Sequence, residues 1–277
     1  MPEVINSHLW LADHLAAPDV RVIDGSWFMP QTAINAKDEF AREHIIGSVF
    51  FDIDEISDQD SPYPHMLPTP VYFSSKVRKL GLGDGHRLVV YDRLGMFSAP
   101  RVWWMFKVMG HHDISILDGG LPVWLQEGHP VTDRQAPRRE RHFTPRFDTT
   151  LIRYADQVLT AIDDPDVVIV DVRSEDRYNG NVDEPRPHLR RGHIPTAINI
   201  PFPTLLTTSG TFREPQELQE IFSNTGLSKA KKVIFYCGSG VSACISAAAF
   251  EITGHHHWSV YDGSWAEWGA RSELPLE

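Results

Sequence analysis

Short apolar runs rich in β-branched and aromatic residues alternate along this chain with longer segments that can form helices. Such runs occupy 20–24, 47–53, 87–92 and 113–119 in the first half, and 166–172, 196–202, 232–237 and 258–263 in the second. The stretch VVIV at 167–170 has no apolar–polar alternation, which is typical of a central strand covered by helices on both faces. The pattern predicts an α/β fold built on mainly parallel sheets.

The two halves of the chain repeat one another. RVIDGSWF at 21–28 corresponds to VIVDVRSE at 168–175, and the segment 87–124 corresponds in order and nearly in length to 232–268. Self-similarity over this distance indicates a duplicated domain rather than one large core. We therefore expect two tandem domains with the same topology.

The segment between the repeats has a different composition. Residues 133–150 carry five arginines and two prolines without apolar periodicity, which suits a surface linker. We predict a first domain at 1–137, a linker at 138–150 and a second domain at 151–277.

Composition and charge exclude several classes of function. The 277 residues are 42% hydrophobic and 23% charged, and their formal net charge of −11 disfavours binding to a nucleic-acid backbone or to an anionic membrane. The N-terminal residues lack a basic start followed by a continuous apolar run, and no window approaches the ~18 apolar residues of a membrane span. We predict a cytoplasmic protein without nucleic-acid or membrane partners.

Only two cysteines occur, Cys237 and Cys244. They are too few for a disulfide framework or a thiolate-rich zinc site. If the intervening segment is helical, seven residues place them about 10 Å apart, beyond the reach of a disulfide. We interpret Cys244 as a small buried hydrophobe on a helix.

Cys237 begins a loop, CGSGVSA, between the predicted strand KKVIFY and a run of small residues. A strand that ends in a glycine-bearing turn before a helix directs several backbone NH groups at one point, where a negative charge is stabilised. Such a loop favours a nucleophilic thiolate. We assign the glycines to positive φ angles and to close approach of the backbone to the sulfur. The predicted cradle consists of Gly238, Ser239, Gly240, Val241, Ser242 and Ala243.

The Cys237 loop has alternative interpretations. Cys237 could be a packed hydrophobe, as most free cysteines are. A cysteine phosphatase needs an arginine six residues after the cysteine to bind phosphoryl oxygens, but position 243 is alanine. A serine hydrolase would require G-x-S-x-G, which the residues around Ser239 do not form. In the first repeat, Asp92 aligns with Cys237, so we expect one reactive site per chain.

Several ordered motifs resemble the two-domain rhodanese-type sulfurtransferases. They are CGSGVSAC, GHIP within DEPRPHLRRGHIP, FFDIDEISDQDSPYPHMLP, SAPRVWWM and YDGSWAEWGAR, and the resemblance covers essentially the whole chain. Where the family usually has threonine, this chain has Ser242, which keeps the hydroxyl. The resemblance implies two rhodanese-like domains and a ping-pong reaction without a cofactor. In it, Cys237 takes the sulfur of 3-mercaptopyruvate as a persulfide, releases pyruvate, and passes the sulfur to thioredoxin, another thiol or cyanide.

The same resemblance assigns substrate and proton-handling residues. Arg177 and Arg186 match the substrate-binding arginines of the family, and guanidinium groups can bind a carboxylate through two hydrogen bonds. Ser239, His65 and Asp54 match its serine, histidine and aspartate set. These assignments are expectations from matching motifs, because His65 and Asp54 lie far from the loop in sequence.

The sequence of the Cys237 loop also indicates which sulfur donor the protein prefers. Family members that prefer thiosulfate, a dianion, carry basic residues directly after the cysteine, whereas Gly238 and Ser239 stand there in this chain. We therefore favour an α-keto acid donor. The alternatives are a thiosulfate sulfurtransferase and a non-catalytic persulfide carrier or scaffold.

Two further features are given structural interpretations. Histidines at 111–112 and 255–257 precede predicted strands in both repeats but have no carboxylate or cysteine at ligand spacing, so we predict no metal site. Trp124 and Trp268 occupy equivalent positions in the repeats, and we expect both to be anchors in the core or between domains.

Overall fold

A computed structural model describes residues 3–277 of the chain, so Met1 and Pro2 lie outside the described residues. Two compact units emerge from the pattern of contacts within the chain. The first comprises the described residues up to 59 together with 67–148 and 208–212, and the second comprises 60–66, 149–207 and 213–277. Each unit therefore includes one short segment that lies, in sequence, within the other half. The proposed boundaries 1–137, 138–150 and 151–277 remain a prediction.

The first unit contains a five-stranded parallel sheet, a separate two-stranded antiparallel pair and flanking helices. Its strands are β1 (Ile5–Asn6), β2 (Val20–Asp24), β3 (His44–Ile45), β4 (Val49–Phe50), β5 (Arg87–Tyr91), β6 (Ile114–Leu117) and β7 (Val131–Thr132). Its helices are α1 (His8–His14), α2 (Ala36–Arg42), α3 (Pro70–Lys79), α4 (Ala99–Val108) and α5 (Gly120–Gln126). The sheet order is β1-β6-β5-β2-β4, and β3 and β7 form a separate antiparallel pair.

The second unit repeats this architecture. Its strands are β8 (Ile152–Arg153), β9 (Val167–Asp171), β10 (Ile198–Asn199), β11 (Lys232–Tyr236) and β12 (Trp258–Tyr261). Its helices are α6 (Ala155–Ala161), α7 (Glu175–Tyr178), α8 (Pro215–Asn224), α9 (Ala243–Ile252) and α10 (Ser264–Trp268). The strand order β8-β12-β11-β9-β10 equals that of the first unit, and every neighbouring pair is parallel.

The shared topology confirms the predicted α/β class and the internal duplication. Central strands β5 and β11 occupy equivalent places and bury four of their five residues, because helices cover both faces of each sheet. The register is also conserved between the units: Asp24 lies beside Tyr91 in the first, and Asp171 lies beside Tyr236 in the second. The sequence repeat thus corresponds to a repeat of strand pairing.

Equivalent tryptophans anchor the core of each unit. Trp124 and Trp268 are fully buried in the apolar clusters against the sheets. Each indole NH donates to a proline carbonyl in its own unit, Trp124 to Pro130 at 3.1 Å and Trp268 to Pro275 at 2.7 Å. Burial of a large ring with its single donor satisfied is the expected state of a core tryptophan. Of the two roles considered for them, the structure shows the role in the core.

Long apolar helices are absent from the described part of the chain. Within residues 3–277, no helix has both the length and the hydropathy that a bilayer span requires.

Candidate active site

Cys237 lies at the carboxyl end of the middle strand of the second sheet. Strand β11 ends at Tyr236, and helix α9 begins at Ala243 after a six-residue turn. The side chain of Cys237 is 2% exposed, and both cysteines are free thiols. Ligands of parallel α/β sheets bind at this edge. The predicted strand, turn and helix around the cysteine are therefore present.

The equivalent loop of the first unit shows what such a turn can hold. Its Asp92 places a buried carboxylate in a ring of main-chain donors. One oxygen, Oδ1, accepts from the NH of Leu94 at 2.8 Å, and the other, Oδ2, accepts from the NH groups of Phe97, Ser98 and Ala99, each at 2.8 Å. Four amides thus converge on a negative group at the position that aligns with Cys237. This loop geometry is an anion cradle.

The corresponding amides of the second unit belong to Ser239, Ser242, Ala243 and Cys244. The NH of Cys244 donates to the carbonyl of Val241 at 3.2 Å. Among residues 3–277, the NH groups of the other three meet no acceptor. Helix α9 has ten residues and begins at Ala243, so its positive N-terminal end adjoins the loop. By correspondence with the Asp92 loop, we expect these three donors to be available to a negative atom attached to Cys237.

The two glycines of the loop are required for different reasons. Gly240 has φ of 75°, and its counterpart Gly95 has φ of 97°, a region that disfavours other residues. Gly238 does not lie in this region, so the expectation of a positive φ is wrong for this position. Instead, a Cβ atom there would lie 3.1 Å from Nη2 of Arg177. Gly238 is small because a guanidinium group occupies the space beside it.

Both predicted substrate arginines lie at the Cys237 loop. Arg177, in helix α7, packs against Gly238 and pairs with Glu184 through Nε at 3.1 Å and Nη2 at 2.5 Å. Arg186 donates from Nη2 to the hydroxyl oxygen of Ser239 at 3.3 Å. The segment between Arg177 and Arg186 folds so that Arg186 also lies at the Cys237 loop. Two cations are thus placed beside the cysteine within one unit.

A buried charge network that the sequence did not reveal supports Arg177. Arg173 is fully buried and contacts Asp171 through Nε and through Nη2, the latter at 2.6 Å. Its Nη1 donates to Glu184 at 2.7 Å, and its guanidinium lies 4.2 Å from the ring centre of Trp265. Burial alone would lower the pKa of Arg173, but the charge of Asp171, with that of Glu184, outweighs burial and raises this pKa. Arg173 is therefore a permanent buried cation.

Ser264 is a second residue that sequence reasoning missed. Its hydroxyl accepts the NH of Cys237 at 3.2 Å and donates to the carbonyl of Tyr261 at 2.8 Å. Ser264 has φ of 50°, where its counterpart in the first unit is Gly120 with φ of 55°. A fully buried serine in this region is strained, and such strain persists where the surroundings enforce it. The YDGSW motif contains this serine, but nothing in its letters indicates the bond.

The proposed serine, histidine and aspartate set is divided between the two units. Ser239 and His65 belong to the second unit, where His65 is 5% exposed and has φ of 63°. Asp54 belongs to the first unit, where its Oδ2 accepts from the indole NH of Trp27 at 3.0 Å. Contact among the three residues remains a prediction.

Metal ligands do not cluster in the described part of the structure. Among residues 3–277, no three histidine, cysteine, aspartate or glutamate side chains form a group that could hold an ion. The histidines at 111–112 and 255–257 follow helices α4 and α9 and precede strands β6 and β12.

Comparison with known proteins identifies the family of this chain. The Rhodanese-like domain family matches residues 7–127 and 154–271. The chain belongs to the rhodanese family. Its two rhodanese-like domains correspond to the two sheets, and the Cys237 loop lies in the second of them.

Relatives extend this likeness along nearly the whole chain. A 3-mercaptopyruvate sulfurtransferase of Escherichia coli strain K12 is 41% identical over 97% of this chain and 95% of its own. A thiosulfate sulfurtransferase of Rattus norvegicus is 40% identical over 95% of this chain and 91% of its own. The crystal structure of SseA, described as a 3-mercaptopyruvate sulfotransferase from Escherichia coli, superposes with a TM-score of 0.87 at 38% identity, covering 95% and 99% of the two chains. The predicted resemblance to two-domain rhodanese-type sulfurtransferases is confirmed.

Proposed function

We propose that this protein is a 3-mercaptopyruvate sulfurtransferase that carries sulfur as a persulfide on Cys237. The observation that supports this most strongly is the anion cradle. The Asp92 carboxylate accepts four amides in the first unit, and three of the corresponding amides in the second unit donate to no acceptor among residues 3–277. A persulfide anion needs such fixed donors, because they stabilise its charge without reorganisation.

The chemistry has two half-reactions. The thiolate of Cys237 attacks the sulfur of 3-mercaptopyruvate, the carbon–sulfur bond breaks, and its electron pair remains on carbon as the enolate of pyruvate. The donor's thiol proton balances the proton that this carbon takes up. An acceptor thiolate or cyanide then attacks the outer sulfur and returns Cys237 to its thiolate. Thioredoxin, other thiols and cyanide are the acceptors that we propose, and the cytoplasm is the proposed location.

Substrate orientation is assigned to the two arginines. A carboxylate bound by Arg177 and Arg186 would bring the substrate's sulfur toward Cys237, because both guanidinium groups contact residues of the loop. Ser239, His65 and Asp54 are proposed to manage the transferred proton. Histidine suits this role because it gains and loses a proton near neutral pH. The hydroxyl of Ser239 already accepts from Arg186, so its own hydrogen is available to donate.

Donor preference tests the proposed substrate. Turnover should be measured with 3-mercaptopyruvate and with thiosulfate under identical conditions, with cyanide as the acceptor. We expect a clear preference for 3-mercaptopyruvate. A thiosulfate preference would favour the alternative sulfurtransferase, whereas one equivalent of pyruvate without continuing turnover would indicate a persulfide carrier.

The substitution Gly238→Arg should reduce this preference. Its Cβ would lie 3.1 Å from Nη2 of Arg177, and its charge would repel the same guanidinium. We expect the KM for 3-mercaptopyruvate to rise about tenfold, the effect of one lost charged hydrogen bond, while thiosulfate turnover increases. The variant Gly238→Ala separates the steric effect from the charge. An unchanged donor ratio in Gly238→Arg would contradict this account of specificity.

A further inference from the structure

Arg177 is held from one side only. Its Nε and Nη2 both donate to Glu184, one to each carboxylate oxygen. Among the described residues, its Nη1 donates to no acceptor, and the guanidinium lies against Gly238. The bidentate pair fixes the plane of the guanidinium, because two parallel hydrogen bonds leave little freedom to rotate. The direction in which Arg177 meets a substrate is therefore set by Glu184.

Glu184 is fixed in turn by the buried network. Its side chain is 2% exposed, and Oε1 accepts from Nη1 of Arg173 at 2.7 Å. The opposite edge of Arg173 binds Asp171, the last residue of β9, and its Nη2 also donates to the carbonyl of Gly192 at 2.7 Å. Asp171 lies beside Tyr236 in the sheet, directly before Cys237. A continuous set of charged contacts thus joins the sheet edge that bears Cys237 to Arg177.

The charges of this set explain why Glu184 is needed. Asp171 and Glu184 balance Arg173 and Arg177, so the four buried or half-buried groups carry no net charge. Without Glu184, Arg177 would lose both of these hydrogen bonds and could turn its 22% exposed side chain toward solvent. An arginine free to rotate binds a carboxylate less tightly, because it must be ordered first.

We propose that Glu184 is a positioning residue that sets the orientation of Arg177 and, through it, of the carboxylate of the sulfur donor. This inference rests on the proposed function and deepens it, because it assigns to a residue outside the loop a role in donor binding. Glu184 need not touch the substrate. Its effect should therefore appear in the donor half-reaction and not in the acceptor half-reaction.

The variant Glu184→Gln tests the proposal, since it keeps the shape of the side chain and removes its charge. We expect the KM for 3-mercaptopyruvate to rise about tenfold, with a smaller change in kcat and an unchanged kcat/KM for cyanide, which depends only on the acceptor half-reaction. Asp183→Asn is the matched control: it makes the same change at the neighbouring residue, which is exposed and pairs with Arg191. Its kinetic constants should stay within about twofold of wild type.

A double-mutant cycle distinguishes positioning from general damage. If Glu184 acts through Arg177, Glu184→Gln should have no further effect on KM in an Arg177→Met background. An equal rise in that background, or an unchanged KM in the single variant, would overturn the proposal. If Glu184→Gln does not fold, Glu184→Asp provides the same measurement with the buried charge retained, and an unaltered KM would again overturn it. Failure of the wild-type protein to turn over 3-mercaptopyruvate would instead contradict the proposed function.

Discussion

Replacing Cys237 with serine should abolish turnover of 3-mercaptopyruvate, with a loss of about a thousandfold or more, because a hydroxyl cannot carry the transferred sulfur as a persulfide. The fold should survive, because serine differs from cysteine by one atom and the buried site accommodates the smaller oxygen. Two measurements check this result: pyruvate release with cyanide as the acceptor, and the mass of the protein after treatment with the donor. The wild-type chain should gain one sulfur atom and the variant none.

The second cysteine provides a matched control for this experiment. Cys244 is equally buried, in the first turn of α9, and its thiol donates to the carbonyl of Gly240 at 3.3 Å. Serine can make the same hydrogen bond, so Cys244→Ser should keep both the added sulfur and turnover. If Cys237→Ser retained activity, or if Cys244→Ser lost the added sulfur, the assignment of the nucleophile would be wrong.

The substitution Asp92→Ala should destabilise the first unit by about 3 kcal/mol, because it leaves four converging amides without an acceptor in a buried place. The carboxylate accepts all four of these NH groups and is itself fully buried. The free energy of unfolding can be measured by urea denaturation. Fluorescence alone would average the two units, so hydrogen exchange of the strands of the first sheet should be followed in parallel.

An exposed aspartate of the same unit is the control for that measurement. Asp113 pairs with Arg87 at 3.6 Å, and its side chain is 52% exposed. Exposed ion pairs contribute about 0–1 kcal/mol, so Asp113→Ala should have little effect. If Asp92→Ala were no more destabilising than Asp113→Ala, the loop would not depend on an anion, and the argument for the equivalent loop of Cys237 would lose its support.

Local pattern and repetition were sufficient to predict the architecture. Uninterrupted apolar runs such as 167–170 indicate strands buried on both faces, and the repeat predicts that both sheets share one strand order, as they do. The place of Cys237 follows from the same signals, since a strand, a glycine turn and a helix are adjacent in sequence. Adjacent residues carry enough information to define such a loop.

Contacts between distant side chains could not be predicted in this way. Arg173 and Glu184 are charged residues in a region rich in charge, where the usual expectation is exposure to solvent. Their burial depends on how the segment after β9 folds back over Asp171 and Trp265. Gly238 illustrates the same limit. Its position requires a small residue because the guanidinium of Arg177, 61 positions earlier in the chain, occupies the adjacent space. Ser264 also illustrates it, because serine seldom adopts the left-handed backbone conformation that Ser264 has here.

Ser264 and Glu184, which the sequence analysis missed, share one property: each contacts a residue that the motifs had identified. Ser264 accepts the NH of Cys237, and Glu184 holds Arg177. Motifs mark the groups that meet the substrate, whereas the residues that orient them depend on three-dimensional packing. Supporting contacts of this kind decide whether reacting groups are aligned.

A crystal structure of the protein after treatment with 3-mercaptopyruvate, without an acceptor, tests the central claim most directly. We predict extra density for one sulfur atom on Cys237, within hydrogen-bonding distance of the NH groups of Ser239, Ser242 and Ala243. A sulfur atom that points away from these three amides, or that resides on another residue, would contradict the account.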